Sequence, residues 1–170
     1  NPTVTSVRKA PIRSMKNMGA IVSTGSGPVL ASPAVHDAVY FEREYFELHP
    51  GKMKYLEYLV RLLRSHGISG GRVLDVGAGY GFFLEALEKA GYEAHGIEVA
   101  AHAVEQALRR TRAQVIEQGA EEPFPFPDNH FAAITLLDVI EHLSHYPVTL
   151  ASCRRCLQPG GELFVITLNA

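Results

Sequence analysis

The sequence predicts an α/β fold, a mainly parallel sheet wound in both directions and covered by helices on each face. Three observations carry this. Short apolar runs alternate with amphipathic stretches of helical length from about residue 72 onward. The apolar runs are near-continuous rather than alternating, as strands buried on both faces must be. A turn with glycines at 77, 79 and 81 joins the first run to the helix after it, and such strand-to-helix turns are where doubly wound sheets hold ligands.

Each element has its own signal. Asn1 to Ala34 mixes Ser, Thr, Pro, Gly and basic residues without periodicity, so residues 1–35 read as a flexible leader and residues 36–170 as the domain. The aromatic, acidic stretch YFEREYFELHP follows. Its rings Tyr40, Phe41, Tyr45 and Phe46 either pack on the sheet or lie over a ligand as a lid. In KMKYLEYLVRLLRSHG, positions Met53, Leu56, Leu59, Val60 and Leu63 form one helical face, with Gly67 as the stop. A strand is expected at 72–76, a helix at 80–90 ended by Gly91, a strand at 93–97 and a helix from about 101 to 111. A weak strand at 114–117, the loop PFPFPDNH, a strand at 132–137, a helix near 144–157 and a last strand at 162–168 complete the pattern. Right-handed crossovers and a reversal of winding place a crevice at the carboxyl ends of the strands.

Bulk properties narrow the function. A chain of 170 residues suffices for one domain with a core of its own. A net charge of −2 offers no electrostatic footprint for nucleic acid, so no nucleic-acid partner is expected. No apolar run reaches bilayer length, so no membrane span is expected, and the amino end lacks the apolar core of a signal peptide, which makes a cytoplasmic location the default. Cys153 and Cys156 form a lone C-x-x-C late in an expected helix. Without a second ligand pair they read as two reduced helix cysteines rather than a zinc or redox site.

The turn itself reads D-x-G-x-G-x-G, with Asp75 before Gly77, Gly79 and Gly81. Glycine leaves no Cβ to hold a ligand away from the backbone. A dinucleotide fingerprint needs its third glycine where Phe82 stands, and a phosphate-binding loop needs a Lys-Ser/Thr pair where Phe82 and Phe83 stand. Glu98 closes the second expected strand, where a carboxylate can accept both hydroxyl protons of a ribose.

RVLDVGAGYGFFLEAL, GIEVA, PFPDNHF, LLDVIEHL and LQPGGELFVIT follow one another in an order that resembles the class I S-adenosylmethionine-dependent methyltransferases, especially the small-molecule enzymes of types 11 and 23. The resemblance runs from about Tyr40 to Leu168. It implies a three-layer, doubly wound Rossmann-like methyltransferase fold with strand order 3-2-1-4-5, S-adenosylmethionine as cofactor, and direct in-line methyl transfer to a small-molecule acceptor at oxygen, nitrogen or carbon. It sets Gly77, Ala78, Gly79 and Gly81 against the cofactor, Asp75 near its amino group, and Glu98, followed by Val99, at the ribose. Aligning on PFPDNHF puts Gly119, Ala120 and Glu121 where the family often has Gly-Asp-Ala at the adenine. Either Glu121 or the backbone of Ala120 and Glu121 would then read the base. Leu137 and Asp138 fall beside the methionine part.

For a hydroxyl acceptor, His142 and His145 are the candidate general bases by residue type. The D-x-x-E-H run of Asp138, Glu141 and His142 resembles an E-x-x-E-H that holds a divalent metal in some relatives. Its first acid is shorter by a methylene, and we read it as a solvated helix start with an acidic cap, assigning no metal. The family usually adds an antiparallel strand pair after the fifth strand, which this sequence lacks. GELFVITL would be left as an open edge unless the amino-terminal segment or a homodimer partner covers it. Two alternatives stay open: a cofactor-binding scaffold without turnover, and an aminopropyl transferase, although D-x-x-D is absent around Asp138.

Overall fold

The computed structural model describes residues 3–8 and 50–167. The rest of the expected leader, the aromatic residues Tyr40, Phe41, Tyr45 and Phe46, and Leu168 lie outside the described residues. In chain order the elements are β1 (Thr3–Arg8), α1 (Pro50–Ser65), β2 (Arg72–Val76), α2 (Phe82–Lys89), β3 (Glu93–Glu98), α3 (Ala101–Arg110), β4 (Gln114–Glu117), β5 (Phe131–Leu137), a 3₁₀ turn (Ile140–His142), α4 (Tyr146–Cys156) and β6 (Leu157–Thr167). They form one sheet of order β1-β6-β5-β2-β3-β4.

The five strands β2 to β6 are parallel, and in their own count the order is 3-2-1-4-5, as expected. β2 and β5 are buried along almost their whole length, which is why RVLDV and FAAITLL lack polar alternation. One core cluster includes Leu59, Leu63, Val73, Phe83, Leu84, Leu87 and Phe164. A second includes Leu74, Val76, Ile97, Phe131, Ile134 and Leu136. Alternate residues of β2 enter the two clusters, so the sheet is filled from both faces.

Three differences from the sequence reading have physical causes. Within the segment expected to be a flexible leader, Thr3–Arg8 pairs antiparallel with β6, Thr3 opposite Thr167 and Arg8 opposite Glu162. An unpaired strand edge carries a row of unmet N–H and C=O groups, and β1 satisfies them. The edge on which a homodimer was expected to form is therefore occupied by the same chain. Second, β6 starts at Leu157, not Glu162. Leu157 sits opposite Phe131, Glu162 sits opposite Ala133, and the irregularity between them absorbs the turn Gln158 to Gly161. Third, α2 begins at Phe82 rather than Tyr80, because Gly79 (φ 52°) and Gly81 (φ 76°) are left-handed and cannot belong to the helix.

Helix α1 is fixed at its carboxyl end. His66 Nδ1 lies 2.8 Å from Oε2 of the buried Glu162, and its ring meets Phe164 edge-on. Ser6 Oγ of β1 approaches the same nitrogen at 3.4 Å. Leu59, Leu63 and Phe164 then pack together, which carries the amino half of α1 toward the carboxyl ends of the strands. On α4, Cys153 and Cys156 are unbridged and fully buried, and burial pushes the Cys153 thiol up to about 12. Both cysteines are expected to resist maleimide labelling in the native protein and to react only on unfolding, as followed by mass spectrometry.

A Cβ on Gly81 would lie 2.9 Å from the Ala107 Cβ and 3.0 Å from its Cα, so α3 packs on the bare turn. Gly81→Ala combines that clash with left-handed strain and should lower unfolding free energy by about 2–4 kcal/mol. Gly67→Ala, at φ +84° with nothing within 4 Å, tests strain alone and should cost about 1–2 kcal/mol in the same denaturant titration.

Candidate functional site

The crevice is built where β2, β3 and β5 end. After Val76 the chain turns through Gly77 at φ 78°, Gly79 at 52° and Gly81 at 76°. The turn is sewn to β3: the N–H groups of Gly77 and Ala78 both donate to the Ile97 carbonyl, at 2.8 and 3.0 Å. Gly79 N–H donates to Glu98 Oε2 at 2.9 Å, and Ala100 N–H donates to Glu98 Oε1 at 2.9 Å. Gly81 N–H closes back on the Ala78 carbonyl at 3.0 Å. Gly96 makes this approach feasible, since a Cβ there would stand 3.0 Å from the Ala78 Cβ and 3.0 Å from Leu84 Cδ1.

These bonds decide the charge preference of the site. The N–H groups of Gly77, Ala78, Gly79 and Gly81 are all used within the protein, so these four are not available to a phosphate. Two buried carboxylates stand behind it instead. Glu98 is 5% exposed, and its two backbone donors leave each oxygen a lone pair for a hydroxyl. Asp75 is 3% exposed, and its Oδ1 accepts the Thr135 hydroxyl at 2.6 Å. Burial pushes the Asp75 carboxyl up to about 7, against the lowering effect of the Thr135 bond and with a further rise from the Glu98 charge.

The remaining expected residues fall around this centre. Val99 follows Glu98 and is exposed. Gln118 N–H bonds the Glu98 carbonyl at 2.9 Å and brings the loop after β4 beside it. In that loop the Ala120 carbonyl accepts the Thr149 hydroxyl at 2.8 Å, and the Glu121 carboxylate accepts the His145 backbone N–H. Glu121 is thereby tied to the start of α4. Leu137 ends β5 half-buried, and Asp138 follows, exposed and left-handed at φ 52°, its N–H donating to the Ile166 carbonyl at 2.8 Å.

The expected helix through Asp138, Glu141 and His142 is absent. Asp138 is left-handed and only Ile140–His142 form a 3₁₀ turn, so these three side chains do not share a helical face. Among the described residues no group of three or more His, Cys, Asp or Glu is arranged to hold a metal ion. His142 and His145 are both exposed and sit on different elements, the 3₁₀ turn and the cap position of α4. They share no helical face, because the chain between them is extended at Leu143 (ψ 127°).

Three residues of the crevice were not singled out from sequence. Thr135 had a signal, being the lone polar residue of FAAITLL. Val139 had none: its Cγ2 would stand 2.4 Å from a Cβ on Gly77, so it lies directly on the turn. Tyr55, from α1, is half-buried, and its phenol is raised by burial first and by the Asp138 charge second. A surface hollow lined by Asp128, Asn129, Arg154 and Arg155 lies at the opposite, amino-terminal end of β5 and shares no residue with this site.

A doubly wound parallel sheet with a bare turn and an acid at the tip of the neighbouring strand is a fold of the nucleoside-binding kind. A family model described as a methyltransferase domain matches residues 41–170, and the chain belongs to that family. It is 35% identical over 132 residues to a ubiquinone biosynthesis O-methyltransferase of Xylella fastidiosa, covering 72% of this chain and 49% of that protein. A similar match, 33% identical over 138 residues, is to the protein of the same description in Nitrosococcus oceani, with 75% and 55% covered. The chain thus spans about half the length of the curated relatives it matches. Among solved structures, Haemonchus contortus phosphoethanolamine N-methyltransferase 2 in complex with S-adenosyl-L-methionine superposes at a TM-score of 0.56 with 26% identity, over 62% of this chain and 26% of that one.

If the Asp75 carboxyl is held against its ionisation by burial, removing the charge should help the free protein. The folded value exceeds the unfolded one, so this acid contributes stability only at low pH. That contribution is lost as pH rises from about 4 to about 7. Asp75→Asn should therefore raise unfolding free energy by on the order of 2 kcal/mol at pH 8 and change little at pH 4, measured by denaturant titration at both.

Proposed function

We propose that this domain binds S-adenosylmethionine in the crevice and supports methyl transfer to a small-molecule acceptor. The observation that carries the reading is the pairing of a bare turn, four of whose N–H groups are spent, with two buried carboxylates and no cation bonded to them among the described residues. Such a site disfavours phosphates and suits a ligand with a ribose and positive charge. When bound, the cofactor supplies an electrophilic methyl group on a sulfonium sulfur.

The chain's own residues would divide the binding as follows. Gly77, Ala78, Gly79 and Gly81 offer a surface without side chains. Glu98 accepts the ribose hydroxyls through the lone pairs its backbone donors leave free. Asp75 faces the ammonium end, and Leu137 and Asp138 line the same side through their backbone. Val99, Ala120 and Glu121 border the adenine. The Ala120 carbonyl and the Glu121 carboxylate are already engaged with α4, which favours their backbone N–H groups or small-residue surface as the reading elements. His142 and His145, exposed at the rim, are the groups available to take a proton from a hydroxyl acceptor.

Relatives described as O-methyltransferases make a hydroxyl the first acceptor to try, with nitrogen and carbon acceptors behind it. No helix among the described residues is long and apolar enough to cross a membrane. We extend this to a cytoplasmic enzyme without a nucleic-acid partner, on the composition argument above.

Calorimetry with S-adenosylmethionine and S-adenosylhomocysteine tests the core of the reading. Binding of both is expected, and absence of heat with either one or the other at any concentration refutes it. Glu98→Ala should weaken affinity by about 1–3 kcal/mol. Because Glu98 also holds the turn, the control is a free-protein melting curve. A lost affinity with an unchanged melt supports the ribose contact, and an unchanged affinity removes it.

A further inference from the structure

We propose that Thr135 is a positioning residue that aims Asp75 at an ammonium-bearing ligand, and that binding of such a ligand releases a proton from Asp75 to solvent. The proposal rests on the cofactor reading above and goes beyond it by assigning the partner of Asp75 and the proton coupling.

The geometry is specific. Asp75 lies in the middle of three parallel strands, with Thr135 of β5 opposite it on one side and Gly96 of β3 on the other. Gly96 presents no side chain, so the flanking strand positions offer Asp75 one donor, the Thr135 hydroxyl. That hydroxyl reaches Oδ1 at 2.6 Å and lies 3.3 Å from the Leu74 carbonyl, and Thr135 is 2% exposed. Among the described residues Oδ2 has no protein donor, so one oxygen is held and the other is left to the crevice.

The groups packed around this pair are apolar or acidic. From β3 comes the Glu98 carboxylate, itself committed to Gly79 and Ala100. From α2 comes Phe83, and from α1 come Leu59, Leu62 and Leu63, which surround Thr135 together with Phe164 and Ile166. On α1, Arg61 pairs with Glu57 and Arg64 reaches the Ala90 carbonyl, while His66, just past the helix end, lies against Glu162. Among the described residues no cation forms an ion pair or hydrogen bond with Asp75. A carboxyl so placed holds its proton until a positive charge arrives, and burial with the Glu98 charge brings that balance to about neutral pH. An incoming ammonium forms an ion pair with the carboxylate, and the proton passes to the buffer. Thr135 donates to the ionised form and so opposes the rise; without it the carboxyl would hold its proton to higher pH.

The test uses the full chain and two probes. S-adenosylhomocysteine carries the ammonium, and 5′-methylthioadenosine carries the same nucleoside without it. Affinities are measured by calorimetry from about pH 5.5 to about 8.5 in two buffers of different ionisation enthalpy. For S-adenosylhomocysteine, affinity should fall about tenfold per pH unit on the acid side of the transition, with a buffer-dependent heat reporting proton release. Methylthioadenosine should bind with an affinity flat with pH and a heat independent of buffer. Thr135→Val should move the S-adenosylhomocysteine transition to higher pH while leaving methylthioadenosine binding in place, which also shows that the variant is folded. Thr135→Ser should restore the original profile. Equal pH profiles for the two probes, or a Val variant with an unmoved transition, overturns the proposal while leaving the cofactor reading intact. Failure of both probes to bind at every pH overturns the cofactor reading and this inference together.

Discussion

The Glu98 carboxylate joins two parts of the chain that neither strand could hold alone. It accepts Gly79 N–H from the turn after β2 and Ala100 N–H from the start of α3, and two more bonds from the turn end on the carbonyl of its neighbour Ile97. The turn therefore stands at a fixed height above β3, and α2 starts in a fixed direction. Ala107 of α3 then packs on Gly81 at a distance no side chain would allow. If that carboxylate were absent, two N–H groups at a largely buried site would lose their acceptor, a substantial penalty for a domain of marginal stability. The shape of the crevice follows from the same bonds, because four backbone donors of the turn are spent on holding it in place.

That arrangement leaves the protein with an electrostatic cost in its free state. Asp75 and Glu98 repel each other across the head of β2 and β3, and Asp75 has only a hydroxyl for compensation. Strain of this kind is characteristic of sites that await a charged ligand, where stability is lower than the fold could support and affinity is higher. It contrasts with Glu162, a third buried acid in the same sheet, which has His66 2.8 Å away and lies far from the turn. Glu162 faces a basic partner, whereas Asp75 faces a hydroxyl and the Glu98 charge. Their difference lies in position along the strand, since only the carboxyl ends of parallel strands open into a crevice.

The edge of the sheet shows the same economy. β6 carries a run of apolar residues whose outer backbone groups would otherwise be unpaired, and β1 meets them residue by residue from Thr3 to Arg8. With that edge covered, α1 is free to lie across the sheet face, fixed by His66 and carrying Tyr55 toward Asp138. The rim of the crevice is thus assembled from a helix that precedes the parallel strands and from loops that follow β4 and β5. It is these parts that vary in families with one fold and many acceptors.

Much of the plan was legible in residue order. Continuous apolar runs such as RVLDV and FAAITLL announce strands buried on both faces, and glycines on alternate positions after an acid announce a bare turn, because both depend on local chemistry and short spacing. Gly91 and Gly67 marked helix ends for the same reason. Legibility failed where a residue's role depends on what another strand brings to it. Thr135 is an ordinary strand threonine until parallel pairing sets it beside Asp75, and Thr3–Arg8 looks like polar leader until an open edge selects it. Asp138, Glu141 and His142 have helical spacing, yet the backbone turns left-handed at Asp138 as its N–H reaches the Ile166 carbonyl. Periodicity and glycine chemistry by themselves determined the five parallel strands and the crevice at their carboxyl ends, while the strand order came from the family resemblance. Only the tertiary structure decided which acids lie uncompensated and which donors are spent, because burial and hydrogen-bond partners are properties of neighbours distant in the chain.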